Sequence, residues 1–353
     1  MKLAAFVTVL AFVLLGAGPV LAQEGESRLD QALGMINDDP VGARAILEEM
    51  SKAGDAEAMN ALAGLVEYDN DNWPGDPARA SELREDALRG GSKAAALNIA
   101  LRIMMDADSD HARGIQLLQL ADSEEKLRPV ANYGWGRAYL FGWGVATDMA
   151  KGVGHFQAFL DSNMGSGAFV VDSHFLLGRA YRNGWDVEVD APRAYSHFAI
   201  ASAQGDPRAQ WNVGMMLLTG EGVEKDEAEA YRHVRMSAEG GHLDGMTSHA
   251  VMLALGQGVE VDAAAAREWY HAAAELGSAH ATRGLGGMLL SNEGGDPDPA
   301  LGIALLELAE EAGDPIAPQI LDFVEDALEE LRAEIDAARA EWLTAVGPPD
   351  PVN

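Results

Sequence analysis

A 36-residue period constrains this chain more than any other feature of it. Gly205, Gly241, Gly277 and Gly313 are 36 residues apart. So are Asp190, Asp226, Asp262 and Asp298, and so are Val187, Val223 and Val259. Three residue types sharing one period mark internal repetition, and repetition at this length marks a supersecondary unit that buries its apolar face on copies of itself. Four full units follow, at 171–206, 207–242, 243–278 and 279–314. A unit at 129–170 is longer by six residues. Units at 93–128 and about 56–92 fit with degraded loops, and half a unit sits near 30–55.

Within a unit numbered from 1, position 3 is always small: Ala58, Ala95, Ala131, Ser173, Ala209, Gly245 and Ala281. Position 8 is likewise small, from Ala63 to Gly286. Positions 7 and 11 are mostly large, as in Ile99, Trp135 and Leu177, then Ile103, Tyr139 and Tyr181. A 3-7-8-11 pattern is one face of a helix, with small residues admitting a neighbouring backbone. At position 20, Asp148, Asp190, Asp226, Asp262 and Asp298 each precede a second apolar-periodic stretch, as do Asp39, Asp76 and Asp110 nearer the N-terminus. Set side by side they look like metal or catalytic carboxylates. Their recurrence at helix starts favours N-caps, which accept hydrogen bonds from the first unpaired N–H groups. A Gly-rich turn such as Gly220-Glu221-Gly222-Val223 joins the two helices, and the closing Gly of each unit ends the second. The expected fold is all-α: a right-handed superhelical α-solenoid of about seven helix–turn–helix units, closed by a C-terminal capping helix.

The stretches PRAQWNVGMMLLTGEGVEKDEAEAYRHVRMSAEGGH and VDSHFLLGRAYRNGWDVEVDAPRAYSHFAIASAQGD resemble the Sel-like repeat, a 36-residue relative of the tetratricopeptide repeat. The shared features are small-at-3, aromatic-at-5, Gly-at-8, GxGV at 14–17, Asp-at-20, Ala-at-24 and a closing Gly, and the likeness covers about 56–314. Asp186 replaces the second Gly of GxGV, and Gly295 replaces its Val. The resemblance implies an adaptor or scaffold rather than an enzyme, and exported bacterial relatives that regulate envelope signalling proteins. A Cys-rich branch linked to β-lactams is a poor match, because this chain has no Cys.

The ends carry other information. Lys2, the uncharged run Leu3–Leu15 and Val20-Leu21-Ala22 read as a signal peptide over 1–22, cut after Ala22. An uncleaved anchor is the alternative, but Gly16, Gly18 and Pro19 end the apolar run early. The expected location is periplasmic or secreted, with no stable membrane span once the signal is removed. The solenoid then occupies 23–314. Over 315–346, Val324, Leu328, Leu331, Ile335, Ala338 and Trp342 are spaced as a heptad seam. It reads either as a cap over the last repeat or as a homodimer contact. Residues 347–353 read as a disordered tail. A formal charge of −31 disfavours nucleic acid and anionic membranes as partners.

No nucleophile elbow, His-Glu-x-x-His or phosphate loop is present in the sequence, so neither an enzyme nor a cofactor is expected. Gly284–Gly287 is glycine-dense but lies within a repeat helix, where close packing explains it. His155, His197 and His233 share position 27, about 8–10 Å apart by repeat geometry, too far to share a metal ion. The first helix of each unit, expected on the concave side, is the sharper feature. Position 5 gives Tyr133, Phe175 and Trp211; position 9 gives Arg137, Arg179 and Met215; Arg182 follows at position 12. These lie on one helical stripe. Arg beside aromatics suits a protein or peptide partner, although both residue types also serve packing and ion pairing. Trp143 and Trp185 share loop position 15, either as exposed contacts or folded onto a neighbouring loop. The leading expectation is a protein-binding scaffold or regulator of the bacterial envelope. A binder of cell-wall saccharide or another small ligand, or an envelope enzyme, is the alternative.

Overall fold

The computed structural model describes residues 27–164 and 167–351. The signal-peptide reading over 1–22 lies outside them. Contacts divide the chain into two compact units at Val189/Asp190.

The first unit is a series of helical hairpins. Helices α1 (Arg28–Met35) and α2 (Pro40–Lys52) pair, as do α3 (Ala56–Val66) and α4 (Pro77–Arg89), and α5 (Lys93–Ile103) and α6 (His111–Asp122). Then come α7 (Arg128–Phe141), α8 (Met149–Asp161) and α9 (Ala168–Asn183). The half unit expected near 30–55 is a complete, if short, helix pair. The second unit continues with α10 (Ala191–Ala203), α11 (Pro207–Thr219), α12 (Glu227–Glu239), α13 (Leu243–Leu255), α14 (Ala263–Glu275), α15 (Ala279–Leu290) and α16 (Pro299–Glu311). It ends in α17 (Ala317–Asp322), α18 (Glu325–Glu330) and α19 (Arg332–Ala345). The fold is an all-α solenoid.

The recurring aspartates are N-caps. Asp39, Asp76, Asp110, Asp148, Asp190, Asp226, Asp262 and Asp298 each accept the N–H three residues on, at 2.8–3.1 Å. The other helix is capped from the unit boundary in five repeats, by Asp55, Ser92, Asp206, His242 and Ser278, whereas α7 and α9 start without a side-chain cap. His242 caps α13 through Nδ1, which accepts from Gly245 N–H at 3.2 Å. Burial holds its pKa below the ordinary value and keeps that nitrogen an acceptor.

Small residues at positions 3 and 8 let helices touch. Ala58, Ala95, Ala131, Ser173, Ala209 and Ala281 are all fully buried. At position 8, a Cβ on Gly136 would stand 2.8 Å from the Phe156 ring, and one on Gly286 would stand 2.8 Å from the Gly302 carbonyl. Gly284 meets Tyr270 in the same way, so the glycine-dense stretch of α15 is a packing surface. Gly287 differs, since nothing lies within 4 Å of the Cβ it would carry. Gly287→Ala is therefore expected to raise stability by about 0.5–1 kcal/mol through helix propensity. Urea denaturation checks it, and a lowered midpoint would show a contact this geometry lacks.

The loop between the two helices of a unit rests on the preceding unit. A Cβ on Gly222 would fall 2.3 Å from the Ala191 carbonyl carbon, one on Gly258 1.9 Å from the Glu227 oxygen, and one on Gly294 2.3 Å from the Ala263 oxygen. Gly144 stands against His111 in the same way. Each touched residue is the first of the preceding second helix. Asp186 occupies the same place with a left-handed φ of 51°. Its backbone thus follows the glycine pattern.

The C-terminal seam is a cap. Val324, Leu331, Ile335 and Ala338 pack with Ile303, Leu306 and Ala309 of α16. Trp342 joins the core of α13–α16. Arg332 and Arg339 pair with Glu307, and Arg339 also with Glu311. Beyond α19 the structure describes the chain as far as Pro351. Pro349 is buried, and Asp350 donates its N–H to the Gly277 carbonyl at 2.7 Å.

Candidate functional site

The nine residues singled out on the first helices and loops divide into three kinds. Tyr133 is fully buried, packed among Phe156, Phe159 and Phe169, and its hydroxyl donates to Asp172 at 2.9 Å. Burial and the Asp172 charge push the hydroxyl pKa up, so it stays a donor. Phe175 is also buried. Neither ring is available to a partner, which corrects their placement on an exposed wall. Position 5 is a core position because the stripe turns towards the next helix pair. Trp211 does similar work in the second unit: half-buried, it donates its indole N–H to Ser248 at 2.9 Å and leans on His242. Met215, one turn on, is half-buried.

Arg137 is a tether. Its Nη1 donates to Asp172 at 2.7 Å and its Nε to the Met104 carbonyl at 2.5 Å, so it links α7 both to α9 and to the end of α5.

The remaining residues form a surface. The Arg137 guanidinium lies 5.1 Å from the Trp143 ring centroid, and the Arg179 guanidinium 4.8 Å from that of Trp185. The same Arg–Trp stack thus recurs at positions 9 and 15 of consecutive repeats. Trp143 also stacks on His111 at 4.6 Å and 6°, with Phe141 at 4.8 Å on its other flank. Phe141 is 40% exposed, Arg179 is exposed, and Trp143, Trp185 and Arg182 are half-buried. Sequence reasoning missed Phe141 and His111. The signal was the loop register: position 15 sits beside the first residue of the preceding second helix, which is His111 here.

A family model described as the Sel1 repeat matches residues 129–163, 171–206, 207–242, 244–278 and 279–314, half of the chain. The chain belongs to the Sel1 repeat family. It is similar in structure to c5321, described as a protective antigen present in uropathogenic Escherichia coli strains displaying an SLR fold. The identity is 25% and the TM-score 0.65, over 86% of this chain and 63% of that one, so this chain spans less than two thirds of that protein. It is also similar to a Sel1 repeat protein from Oxalobacter formigenes, at 23% identity and TM-score 0.54, over 65% of this chain and 94% of that one. No curated protein sequence matches it. Sel1 repeat proteins generally mediate protein–protein interactions.

His155 and His233 of these Sel1 repeats are packing residues. His155 Nδ1 meets Asn132 at 2.9 Å and stacks on Tyr139, and His233 lies 3.3 Å from the Ser202 hydroxyl. Among the described residues no three His, Asp or Glu side chains are grouped to hold a metal ion. None of the described helices is long and apolar enough to cross a membrane.

His249 is the most perturbed. It is buried between Tyr231 and Trp269, and its Nδ1 has no hydrogen-bond partner. Burial first, then Arg235, lower its pKa to about 4, against a smaller opposing pull from Glu239. The unfolded chain therefore binds a proton near pH 6.5 that the folded one refuses until about pH 4. Stability is expected to fall across that window as pH drops, by on the order of 3 kcal/mol from this residue. His249→Leu should flatten the profile by that amount. Parallel curves for the two proteins in pH-dependent urea denaturation would remove the assignment.

Proposed function

We propose that the protein is a non-catalytic scaffold of the bacterial envelope, binding a protein partner through the paired Arg–Trp stacks of its first unit. The observation that carries this reading is the repetition of the stack at one register, Arg137–Trp143 and Arg179–Trp185, beside the exposed Phe141 ring. Arg and Trp are the residues whose truncation costs interfaces most. Fixed rings with few rotatable bonds lose little entropy on binding. Membership of a family that generally mediates protein–protein interactions agrees with it. The envelope location rests on residues 1–22, and mass spectrometry of the protein from fractionated cells tests it by the presence or loss of that segment. The heptad seam packs inside the chain, so the proposal includes no homodimer through it.

The test is affinity capture from an envelope extract, with wild type beside F141A/R179E/W185A. Arg137 is left intact because it ties α7 to its neighbours. A partner held by wild type and weakened about a hundredfold in the variant is the expected result. Equal capture by both proteins would sink the reading. The saccharide alternative uses the same aromatic platform. Cosedimentation of wild type, but not the variant, with partner-free cell-wall polymer would put it in place of the protein partner.

A further inference from the structure

A second surface lies on the opposite end of the repeat array in sequence, in the second unit, and it is built partly by the cap. Two adjoining clefts, of about 530 and 350 Å³, share His271 and Leu301. The first is floored by Leu285, Leu289 and Leu301 between α14 and α16. The second runs on from it along α19, where Trp342, Ala345 and Val346 form the far wall. Trp342 meets His271 edge-on at 5.6 Å, fixing the junction of the two. The result is one trough that begins between two repeats, where its lining is mostly apolar, and is completed by the C-terminal helix, where apolar and acidic groups are mixed.

Its rim is acidic. Glu268 stands over the first cleft, and Glu275, Asp298 and Glu341 over the second, all of them exposed. Beside them stand Arg267, whose Nη1 donates to the Asp296 carbonyl at 2.8 Å, and His271, whose ring nitrogen lies 3.6 Å from Glu275. Sites of this volume hold small ligands when buried polar groups converge to orient them. Here the charges lie outside, on the rim, and the floor is hydrocarbon. That division suits a chain segment laid along the trough, with apolar side chains down and cationic ones meeting the rim. Rim charges of this kind set register and attract the partner from a distance, while the apolar floor supplies the holding energy.

We propose that this trough docks a segment of a partner protein that alternates bulky aliphatic residues with Lys or Arg. This surface is independent of the Arg–Trp stacks, so the protein would carry two contacts of opposite character.

The probe is an acetylated, amidated peptide, Leu-Lys-Leu-Leu-Lys-Lys-Leu-Leu, titrated into the full chain by calorimetry. A chain with formal charge −31 will attract any cation, so two charge-matched variants are compared. E268Q/E275Q/E341Q removes rim charge, and E221Q/E224Q/E227Q removes the same charge elsewhere. The expected result is saturable binding to wild type, about tenfold weaker in the rim variant and unchanged within about twofold in the other. The same peptide with Gln in place of each Leu should lose binding to all three proteins. Equal weakening in both variants, retention of the Gln peptide, or no saturable binding to wild type would each overturn the proposal. None of these outcomes touches the Arg–Trp reading, whose residues lie in the other unit.

Discussion

Glu67→Gln is expected to lower the unfolding free energy by about 3–5 kcal/mol, the cost of leaving a buried cation without its counter-charge. Glu67 ends α3 and is buried, and Arg84 of α4 is 1% exposed. The Arg84 Nη2 donates to Glu67 Oε2 at 2.5 Å, and Arg102 from α5 reaches the other oxygen. One carboxylate thus serves two guanidinium groups from two helices. Arg84 has little else to rely on: its Nε and Nη1 are buried with no hydrogen-bond partner, and burial lowers its pKa. A carboxamide removes the charge, keeps an acceptor for one arginine and turns its NH2 donors towards the other. A pair of similar volume without charge, E67L/R84M, should recover most of the loss, since apolar replacements of buried ion pairs are often neutral or stabilising. Urea denaturation followed by circular dichroism reads both. A single variant within about 0.5 kcal/mol of wild type would show that water reaches the site and the pair is not buried in solution.

Gly258→Ala is the second large effect, at about 3–4 kcal/mol. Two costs combine. With φ at +70° an L side chain is strained, which costs on the order of 1 kcal/mol. The new Cβ would also stand 1.9 Å from the Glu227 carbonyl oxygen, inside any contact distance, and backbone on both sides has to move. Forced shifts of that kind cost about 1–3 kcal/mol. Asp186 supplies the internal control. It holds the same loop place with positive φ and already carries a Cβ, so Asp186→Gly should change stability by under about 1 kcal/mol. Matched losses at 258 and 186 would refute the contact.

Most of the fold was legible in the sequence because a repeat states its rules several times. Asp at position 20 could be recognised as a cap only through recurrence, and all eight aspartates cap. The surface was harder. Tyr133 and Arg137 share a stripe with exposed residues, but a stripe does not say how far neighbouring helices close over it. Asp172, from the next repeat, decides that by holding both. The buried Glu67–Arg84 pair was invisible because both lie on the helices of a degraded N-terminal unit, where no repeat position predicts a partner. The trough escaped for a different reason: one of its walls, Trp342 to Val346, comes from outside the repeats, and periodicity has nothing to say about where a terminal helix lies.

The contact between each connecting loop and the preceding repeat has a direction. Gly222 needs the start of α10, Gly258 the start of α12 and Gly294 the start of α14. The surface each of these loops rests on lies earlier in the chain. A polypeptide that emerges from its N-terminus first, from a ribosome or through a narrow channel, meets a finished template at every step. Growth proceeds like laying courses of brick, each of these loops set down on the course before it.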